Sequence, residues 1–519
     1  MALRVLSDVK LGIDKKEAEL VKIAEKSLKK KPAYFAIRKK SLDARDKGNL
    51  RYIYTIEFDD KPHAEAEEIL EKLPKAKLPQ NPVVVVGSGP AGLFCALRLL
   101  DRGILPIVIE RGPCVEERAK KIEAFIGTKA LDVNGNVQFG EGGAGTFSDG
   151  KLNTQTHSAF NRAVLKTFVK YGAPKEILWL NKPHLGSDNL RGIVKRMRED
   201  ILARGGKVFF DTLLTDFVIK DGKVEEISTK CLKTGKEETF AVSSLVLAVG
   251  HSARDTFEKL YEKGVALSQK EFSVGLRIEH LQADISRAQY GENYAKLPPA
   301  DYKLVAHGSE RASFTFCMCP GGVVMPATSE EGGVVVNGMS NYARDEKNAN
   351  AALIAQVKKE DFASAHPLAG IEYQRTLERA AFQAGGKTYA APVQLVGDFL
   401  LDKESSRFGA ILPSYAAGTA FADMREVLPP VIVKALKEGL TDMDKRLKGF
   451  ARPDALLTGV ESRTSSPVRI ERGEDMQSIS LKNMYPCGEG AGYAGGITSA
   501  AADGLKVADA VYAYYMQNQ

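Results

Sequence analysis

The 519-residue sequence has no long hydrophobic run and few cysteines. Its clearest apolar run, Val83–Val86, stops at Gly87 and is far shorter than the roughly 18 residues of a membrane span. The first ten residues lack the apolar region and cleavage site of a secretory signal. Six scattered cysteines do not make a disulfide scaffold, which agrees with a reducing compartment. We therefore expect a cytoplasmic protein without a membrane span.

The excess of one charge sign is small and is confined to one end of the chain. The net charge is +7, and residues 1–80 hold 19 Lys and Arg against 14 Asp and Glu. The segments Lys29–Lys31 and Arg38–Lys40 have the charge needed to contact phosphates, so RNA binding through residues 1–80 is one hypothesis. A solvated charged face is the interpretation we favour, because charge runs usually face water.

Hydrophobic periodicity divides the chain into four stretches. Residues 1–80 predict a small basic β-α-β-β domain: a strand at 3–9, a helix at 14–28 with Asp14 as N-cap, strands at 34–40 and 51–58, and a closing helix at 64–73. A Lys- and Pro-rich linker follows at 73–82. Residues 81–268 and 455–519 predict the two parts of one nucleotide-binding domain, with a second domain inserted at 269–454. Within the insertion, amphipathic helices are expected around 349–359 and 431–446.

The strongest motif is the glycine-rich turn at 87–92, which reads Gly-Ser-Gly-Pro-Ala-Gly. It follows the strand 83–86 and opens a helix predicted at 91–102, whose N-terminus offers free N–H groups and a positive dipole end to a diphosphate. The next strand, 105–109, ends in Glu110, at the position from which a carboxylate accepts hydrogen bonds from ribose hydroxyls. Strand, turn, helix and acid together predict a dinucleotide site.

Three further segments indicate which dinucleotide. They are the glycine-rich loop at 141–152, the apolar strand at 245–250 followed by His251, and the segment 485–497, in which a strand runs into Gly488-Glu489 and then a helix at 498–514. With the segments 250–256, 317–322 and 461–469, they resemble a large bacterial family of FAD-dependent dehydrogenases. These are glutathione-reductase-type flavoproteins, distantly similar to geranylgeranyl reductases, and the resemblance covers nearly the whole chain.

The resemblance implies an α/β fold with a Rossmann-like FAD-binding domain, an inserted α+β substrate domain and the small N-terminal α+β domain. It implies non-covalent FAD, with the Leu214 backbone beside the adenine and Glu489, in place of the usual Asp, near a ribityl hydroxyl. A last helix directed at flavin N1 and O2 would stabilise reduced flavin. The cofactor-binding residues expected are Gly87, Ser88, Gly89, Pro90, Ala91, Gly92, Glu110, Arg111, Gly143, Thr146, Lys151, Leu214, Val249, Gly250, Gly488, Glu489, Gly495, Gly496 and Ile497.

Residues for chemistry are less clearly marked, because flavin carries the redox step and the protein supplies placement and a proton. The catalytic candidates are Lys151, His251 and His280, each with an alternative structural interpretation. Arg277, Arg463 and Arg469 are further candidates near the flavin, and the last two suggest either a clamp for an anionic substrate or surface ion pairing.

Three other expectations concern what the sequence lacks. Cys317 and Cys319 could indicate a redox or metal site, but two thiolates make only half a zinc site, so no metal is expected and we favour the interpretation of both as buried small hydrophobes. No Cys-x₄-Cys dithiol follows the first glycines, which argues against a disulfide reductase. Outside the segments already assigned to FAD, a second Gly-x-Gly-x-x-Gly turn for NAD(P)H is missing, so NAD(P)H would serve only as a transient reductant.

The sequence therefore predicts an FAD-dependent oxidoreductase that transfers a hydride between flavin N5 and a small organic substrate. The alternatives are a flavin monooxygenase of the hydroxylase type and an RNA-associated flavoprotein that uses residues 1–80. Neither the substrate nor an oligomeric state follows from the sequence.

Overall fold

The computed structural model describes residues 3–63, 79–154 and 158–517. The strands within these ranges are β1 (Arg4–Gly12), β2 (Tyr34–Asp43), β3 (Arg51–Asp59), β4 (Val83–Val86), β5 (Pro106–Ile109), β6 (Lys207–Phe209), β7 (Thr212–Lys220), β8 (Lys223–Cys231), β9 (Glu237–Ala241), β10 (Ser244–Leu247), β11 (Leu267–Gln269), β12 (Phe272–Leu281), β13 (Val305–His307), β14 (Ala312–Cys319), β15 (Val323–Pro326), β16 (Val336–Met339), β17 (Asn348–Val357), β18 (Ala391–Leu395), β19 (Thr419–Phe421), β20 (Leu456–Glu461), β21 (Val468–Ile470) and β22 (Met484–Pro486). The α-helices are α1 (Ala18–Leu28), α2 (Pro90–Asp101), α3 (Val115–Thr128), α4 (Ala159–Lys170), α5 (Gly186–Ala203), α6 (Arg254–Glu262), α7 (Gln282–Tyr290), α8 (Ala369–Ala384), α9 (Val396–Leu400), α10 (Pro430–Arg446) and α11 (Ile497–Gln517).

The N-terminal part is an antiparallel sheet of order β1-β3-β2 covered by α1. Leu20 and Ala24 of α1 pack on Tyr54, Ile56 and other apolar side chains of the sheet. The predicted order of strand, helix, strand and strand is the order found. The helix begins at residue 18 rather than 14, so the expected N-cap at residue 14 is wrong. The closing helix predicted at 64–73 and most of the linker lie outside the described residues.

A five-stranded parallel sheet of order β22-β10-β4-β5-β6 follows. Strand β4 is its centre, and all four valines of that strand are buried because both faces are covered. Val83 and Val85 join a core formed with helices α2, α5 and α11, whereas Val84 and Val86 face a core that includes Phe217 and other side chains of β7, β8 and α6. A continuous apolar strand is the pattern expected for such a doubly covered parallel sheet.

A seven-stranded sheet of order β13-β14-β17-β12-β20-β18-β19 is formed by the chain between β11 and β21. Its neighbours pair antiparallel except β18 and β19, and helices α8 and α10 pack against it. Helix α10 was predicted, but the helix expected around 349–359 is wrong, because residues 348–357 form the strand β17. Nine of the ten residues of β17 are buried between β14 and β12, so tertiary burial overrides its alanine-rich helical pattern.

The structure is therefore an α/β fold in which a Rossmann-type parallel sheet is interrupted by a mixed α+β insertion. The last strand, β22, returns to the parallel sheet beside β10. No α-helix among the described residues combines the length and the apolar character needed to cross a membrane.

Candidate functional site

A cleft of about 340 Å³ opens at the carboxyl edge of the parallel sheet. Residues that directly follow four of the sheet's strands line it: Gly87 after β4, Glu110 after β5, Ala248 after β10 and Cys487 after β22. Ligands of open parallel sheets bind outside the carboxyl ends of the strands, in pockets of about 300–1,000 Å³. The topology of the sheet thus defines a ligand site.

The cleft brings together segments that are far apart in the sequence. Most of the expected cofactor-binding residues line it, namely Gly87, Gly89, Pro90, Ala91, Glu110, Arg111, Gly143, Lys151, Leu214, Val249, Gly250, Glu489, Gly495, Gly496 and Ile497. The expected residues that are not part of the lining are Ser88, Gly92, Thr146 and Gly488.

The glycine-rich turn needs its glycines for two different reasons. Gly87 has a φ of 102°, and a Cβ there would lie 2.3 Å from the carbonyl oxygen of Ala248. A Cβ on Gly92 would lie 1.9 Å from the carbonyl oxygen of Gly87, so this glycine lets helix α2 pack against the turn. At Gly89 the nearest atom to a Cβ is 3.7 Å away, which leaves its side of the cleft bare. Pro90 then begins α2, which suits a position with no intrahelical N–H bond.

The carboxylate of Glu110 holds this turn together. One of its oxygens accepts hydrogen bonds from the backbone N–H and the hydroxyl of Ser88, each at 2.9 Å. The other accepts from the backbone N–H groups of Gly112 at 2.9 Å and Gly140 at 3.1 Å. A carboxylate has about four acceptor positions, and four protein donors already occupy them. Glu110 therefore organises the turn, and its contact with a ribose hydroxyl stays a prediction.

The four expected residues outside the lining act behind it. Ser88 bonds to the Glu110 carboxylate, and Gly92 packs on the turn, as described above. Thr146 is buried with its hydroxyl unpartnered, while its backbone carbonyl accepts from the Ser187 hydroxyl at 2.8 Å. The backbone N–H of Gly488 donates to Asp503 at 2.8 Å. Direct contact of these four residues with the cofactor stays a prediction, and the structure shows them supporting the segments that line the cleft.

Arg118 on helix α3 organises the loop from 136 to 147, a function that sequence reasoning missed. Its fully buried guanidinium donates to backbone carbonyls of that loop, including those of Asn136, Val137 and Glu141 at 2.8–2.9 Å. It also lies 4.8 Å from the centre of the Phe147 ring. Burial lowers the pKa of Arg118 to about 10, so the side chain keeps its charge at neutral pH. An arginine in an amphipathic helix gives no signal that it is turned inward.

A buried ion pair holds the segment that follows β22. Arg472 donates to both carboxylate oxygens of Asp503 on α11, at 2.7 and 2.9 Å. A Cβ on Gly504 would lie 2.1 Å from the carbonyl oxygen of Ala91, so this glycine brings α11 into close contact with α2. The N-terminal end of α11, at Ile497, therefore reaches the same cleft as the N-terminal end of α2.

Glu489 lines the cleft between these helix ends. Burial raises its pKa to about 7, while the positive charge of Lys270 opposes the increase. A carboxyl group with this pKa is partly protonated at neutral pH and can then donate as well as accept a hydrogen bond.

Lys151 is one of the expected catalytic residues that line the cleft. Its ammonium nitrogen lies 3.9 Å from the Asp149 carboxylate, which also accepts from Arg344. Asp149 is buried and Lys151 is partly exposed, so the lysine can approach a ligand while its charge remains compensated.

His251 also lines the cleft and is neutral. Burial, together with the positive charges of Arg463 and Arg254, lowers the pKa of His251 to about 3. It therefore has no imidazolium proton to give at neutral pH, and a catalytic function of His251 stays a prediction.

A hydrogen-bonded chain assigns the tautomer of His251. Gln138 donates its amide N–H to the carbonyl of Ala327 at 3.2 Å, so its amide oxygen accepts the single hydroxyl proton of Ser252 at 3.1 Å. The Ser252 oxygen also accepts from Arg463 at 3.1 Å. Nδ1 of His251 lies 3.0 Å from that oxygen and must be the donor. The neutral ring therefore keeps its proton on Nδ1, and Nε2 is left with a free lone pair.

His280 does not belong to this site. It is buried away from the cleft lining, and its Nε2 lies 2.7 Å from the backbone carbonyl of Phe450, whose ring packs against it. Burial lowers the pKa of His280 to about 4. The expectation that His280 is catalytic is wrong, because the side chain serves the core of the seven-stranded sheet.

The three arginine candidates differ in position. Arg277 is fully buried behind the lining and donates to both carboxylate oxygens of Glu461, at 2.8 and 3.1 Å. Arg463 does line the cleft, but Glu378 accepts two of its N–H groups at 2.8 and 2.9 Å. Arg469 is outside the lining and lies 5.2 Å from the centre of the Tyr493 ring. The clamp expected from Arg463 and Arg469 is therefore wrong, since only one of them reaches the cleft.

The wall opposite the glycine-rich turn comes from the inserted part of the chain. Phe316, Cys317, Asn337 and Glu461 line it. Cys317 is half-buried rather than fully buried, so the expectation of two buried small hydrophobes fails for this residue.

The fold and the cleft define a dinucleotide-binding α/β protein of the Rossmann type. Residues 271–464 match the family described as FAD-dependent protein, C-terminal domain-like. An uncharacterized protein of Clostridium beijerinckii is 46% identical over 531 aligned positions, which cover 98% of each chain. The chain therefore belongs to one family with this protein. Its residues 271–464 form the C-terminal domain of FAD-dependent proteins, and FAD is its cofactor.

Similarity to other proteins is more distant. A dual trans-enoyl reductase/FAD-dependent monooxygenase of Aspergillus terreus is 29% identical over 176 residues, which cover 31% of this chain and 23% of that protein. Among solved structures, a geranylgeranyl bacteriochlorophyll reductase-like protein from Thermoplasma acidophilum has 13% identity and a TM-score of 0.39, over 85% of this chain and 80% of that one. A glycerol-3-phosphate dehydrogenase from Bacillus halodurans complexed with FAD has 12% identity and a TM-score of 0.37, over 85% and 65% of the two chains. None of these three similarities identifies the chemistry of this chain.

Proposed function

We propose that this FAD-dependent oxidoreductase transfers a hydride between N5 of the flavin and a carbon atom of a small organic substrate. The observation that carries the proposal is the convergence of four strand ends and two helix N-termini on one cleft, whose opposite wall comes from the inserted sheet. Flavin supplies the two-electron chemistry, and the protein supplies orientation, exclusion of water and control of protons. The closer relation to glutathione-reductase-type flavoproteins and geranylgeranyl reductases is part of this proposal.

The residues present fit FAD along the whole cleft. The bare backbone at Gly87 and Gly89, beside the N-terminal end of α2, suits a diphosphate that no side chain obstructs. We assign the backbone of Leu214 to the adenine, Glu489 to a ribityl hydroxyl, and Gly495–Ile497 to the pyrimidine end of the flavin. The positive end of the α11 dipole would there stabilise negative charge.

His251 and Lys151 are the side chains we assign to the substrate. The free lone pair on Nε2 of His251 can accept a hydrogen bond or a proton from a substrate hydroxyl or amine. Ser252 and Arg463 fix the ring through Nδ1. Lys151 supplies a positive charge for a carbonyl or carboxylate oxygen. Both residues thereby orient a polar group of the substrate.

The first test is spectroscopic. The purified protein should show flavin absorption and should release FAD, not FMN, when denatured. A colourless protein that does not bind added FAD would contradict the proposal. Anaerobic reduction followed by mixing with enones, enoates or imines should then reoxidise the flavin, with deuterium passing from deuterated reductant to substrate carbon.

A hydroxylase reaction is the second candidate, since the Aspergillus relative is described as partly a monooxygenase. Oxidation of NADPH coupled to incorporation of an atom of O₂ into product would favour it. Reoxidation of the flavin by an organic acceptor without O₂ would favour the dehydrogenase or reductase. Mass spectrometry of the product formed under ¹⁸O₂ distinguishes the two.

The RNA-associated alternative stays a prediction. Several basic side chains of the N-terminal sheet have acidic partners, as in the pair of Lys40 with Glu17 at 2.6 Å. A salt-sensitive shift of RNA mobility that is lost when residues 1–80 are deleted would support the alternative. Absence of binding at low salt would exclude it.

A further inference from the structure

The segment Cys317–Cys319 lies at a kink in strand β14, on the wall of the cleft. Phe316 pairs with Ala352 and Cys319 with Asn350, so β14 has one residue more than β17 over this stretch. Cys317 takes the extra position with a φ of 41°. Such a bulge changes the direction of a side chain, and here Cys317 lines the cleft whereas Cys319 is buried behind it.

The two cysteines lie beside the buried guanidinium of Arg277. The Cys319 thiol is 3.3 Å from the backbone carbonyl of Cys317, which also accepts from the buried guanidinium of Arg277 at 2.9 Å. A Cβ on Gly338 would lie 2.8 Å from the Cys319 sulfur and 2.3 Å from Nη1 of Arg277. Glycine at this position therefore makes room for the thiol beside the guanidinium.

This environment makes the two cysteines chemically unequal. A hydrogen bond from the Cys319 thiol, together with the positive charges of Arg277 and Lys151, lowers the pKa of Cys317. The same interaction, with burial, raises the pKa of Cys319. A reactive thiolate beside a protonated thiol is the arrangement from which a disulfide forms, because the thiolate is the nucleophile.

We propose that Cys317 and Cys319 are a redox-active dithiol that exchanges two electrons with the FAD of the cleft. Oxidation of the Cys317 thiolate and the Cys319 thiol joins the two sulfur atoms in one S–S bond and releases one proton and two electrons. Oxidised FAD takes up both electrons and this proton, which gives anionic reduced flavin. In reverse, reduced flavin returns the electrons and the S–S bond breaks. The inference rests on the proposed placement of FAD beside this wall.

Anaerobic reductive titration of the air-oxidised holoprotein tests the exchange. The wild type should take up four electrons per chain, two for FAD and two for the disulfide, whereas Cys317→Ser and Cys319→Ser should each take up two. Cys231→Ser, which removes a half-buried cysteine outside the cleft lining, is the matched control and should still take up four. Uptake of two electrons by the wild type would overturn the proposal.

A second measurement does not depend on flavin. After mild peroxide treatment of holoprotein and FAD-stripped protein, the peptide containing residues 317–319 should be lighter by two hydrogen atoms and should resist alkylation until a reductant is added. Sulfinic or sulfonic acid at Cys317, with Cys319 still alkylated, would overturn the dithiol. Failure of the proposed function is separate, because it would appear as a protein that does not bind FAD at all.

Discussion

The two sides of the cleft are built from different parts of the polypeptide. The parallel-sheet side is mostly backbone: Gly87, Gly89 and Gly143 expose main chain, and helix ends supply the charge. The opposite side is made of side chains, held by buried ion pairs such as Arg277 with Glu461 and Arg463 with Glu378. A backbone surface suits a constant ligand such as a dinucleotide. A wall of side chains can be altered by substitution without changing the fold, so substrate choice belongs there.

The largest expected effect is a loss of stability when Glu378, whose carboxylate holds the side-chain wall together, is replaced. Its buried carboxylate accepts hydrogen bonds from Arg254, Arg463 and Ser462 at 2.8–2.9 Å. Glu378→Gln leaves two buried guanidinium groups without their shared counter-charge, which should cost about 3 kcal/mol of unfolding free energy. Urea unfolding of the FAD-free protein measures it.

Glu372→Gln is the control for that substitution. Glu372 lies on the same helix, α8, and pairs with Arg375, but its side chain is 59% exposed. Exposed pairs contribute about 0–1 kcal/mol, so little change is expected. Equal effects of the two substitutions would show that the buried cluster has no special part in stability.

The next effect separates two glycines of the backbone side. Gly87→Ala should destabilise the protein by about 2 kcal/mol or more, because its Cβ meets the Ala248 carbonyl and its φ is positive. Gly89→Ala should leave stability unchanged, since ordinary space surrounds its Cβ. It should nevertheless raise the Kd for FAD about tenfold, or about 1.4 kcal/mol, by placing a methyl group against the diphosphate. Thermal unfolding and fluorescence titration with FAD measure the two effects, and normal FAD affinity in Gly89→Ala would contradict the assigned position of the diphosphate.

Glu110→Gln tests what the acid at the end of β5 does. An amide has one acceptor oxygen and would present N–H groups to backbone donors, so about 1.5–3 kcal/mol of stability should be lost even without FAD. Unfolding of the FAD-free protein measures this loss. If only FAD affinity changes, Glu110 acts on the ribose and not on the turn.

The smallest effect is a change in pH dependence through Glu489. In the unfolded chain this carboxyl loses its proton near its ordinary pKa of 4.5, whereas in the folded protein burial raises the pKa to about 7. Between these values the unfolded state binds fewer protons, so the contribution of Glu489 to stability falls as pH rises. The Tm of the FAD-free protein should therefore fall less between pH 4.5 and 7 in Glu489→Gln than in the wild type. The exposed Glu474→Gln is the control, and identical profiles for wild type and Glu489→Gln would contradict the prediction.

The backbone side could be predicted because its signals are local. A short apolar strand, a glycine-rich turn and an acid at fixed spacing are encoded within about 30 residues, and the strand Val83–Val86 has the predicted bounds. The structural function of Glu110 could not be predicted from such local signals. Its partner Gly140 lies 30 residues further along the chain and approaches only because Arg118 folds the intervening loop.

The side-chain wall could not be predicted because its parts come from separate strands. Strand β17 has the composition of a helix and becomes a strand only between β14 and β12. His280 and Arg277 were both predicted to lie near the flavin. They share the strand β12, and both side chains are buried. Cys317 faces the cleft through one extra residue in β14, and a bulge of this kind leaves no periodic trace in the sequence.

The position of β22 has a consequence for how the protein is made. Because β22 completes a sheet whose first strand along the chain is β4, and the start of α11 completes the lining, the cleft cannot form before residues 484–497 have been translated. The early strands must wait as an unfinished half-sheet until then. Binding of the coenzyme is thus a late step in the folding of this chain.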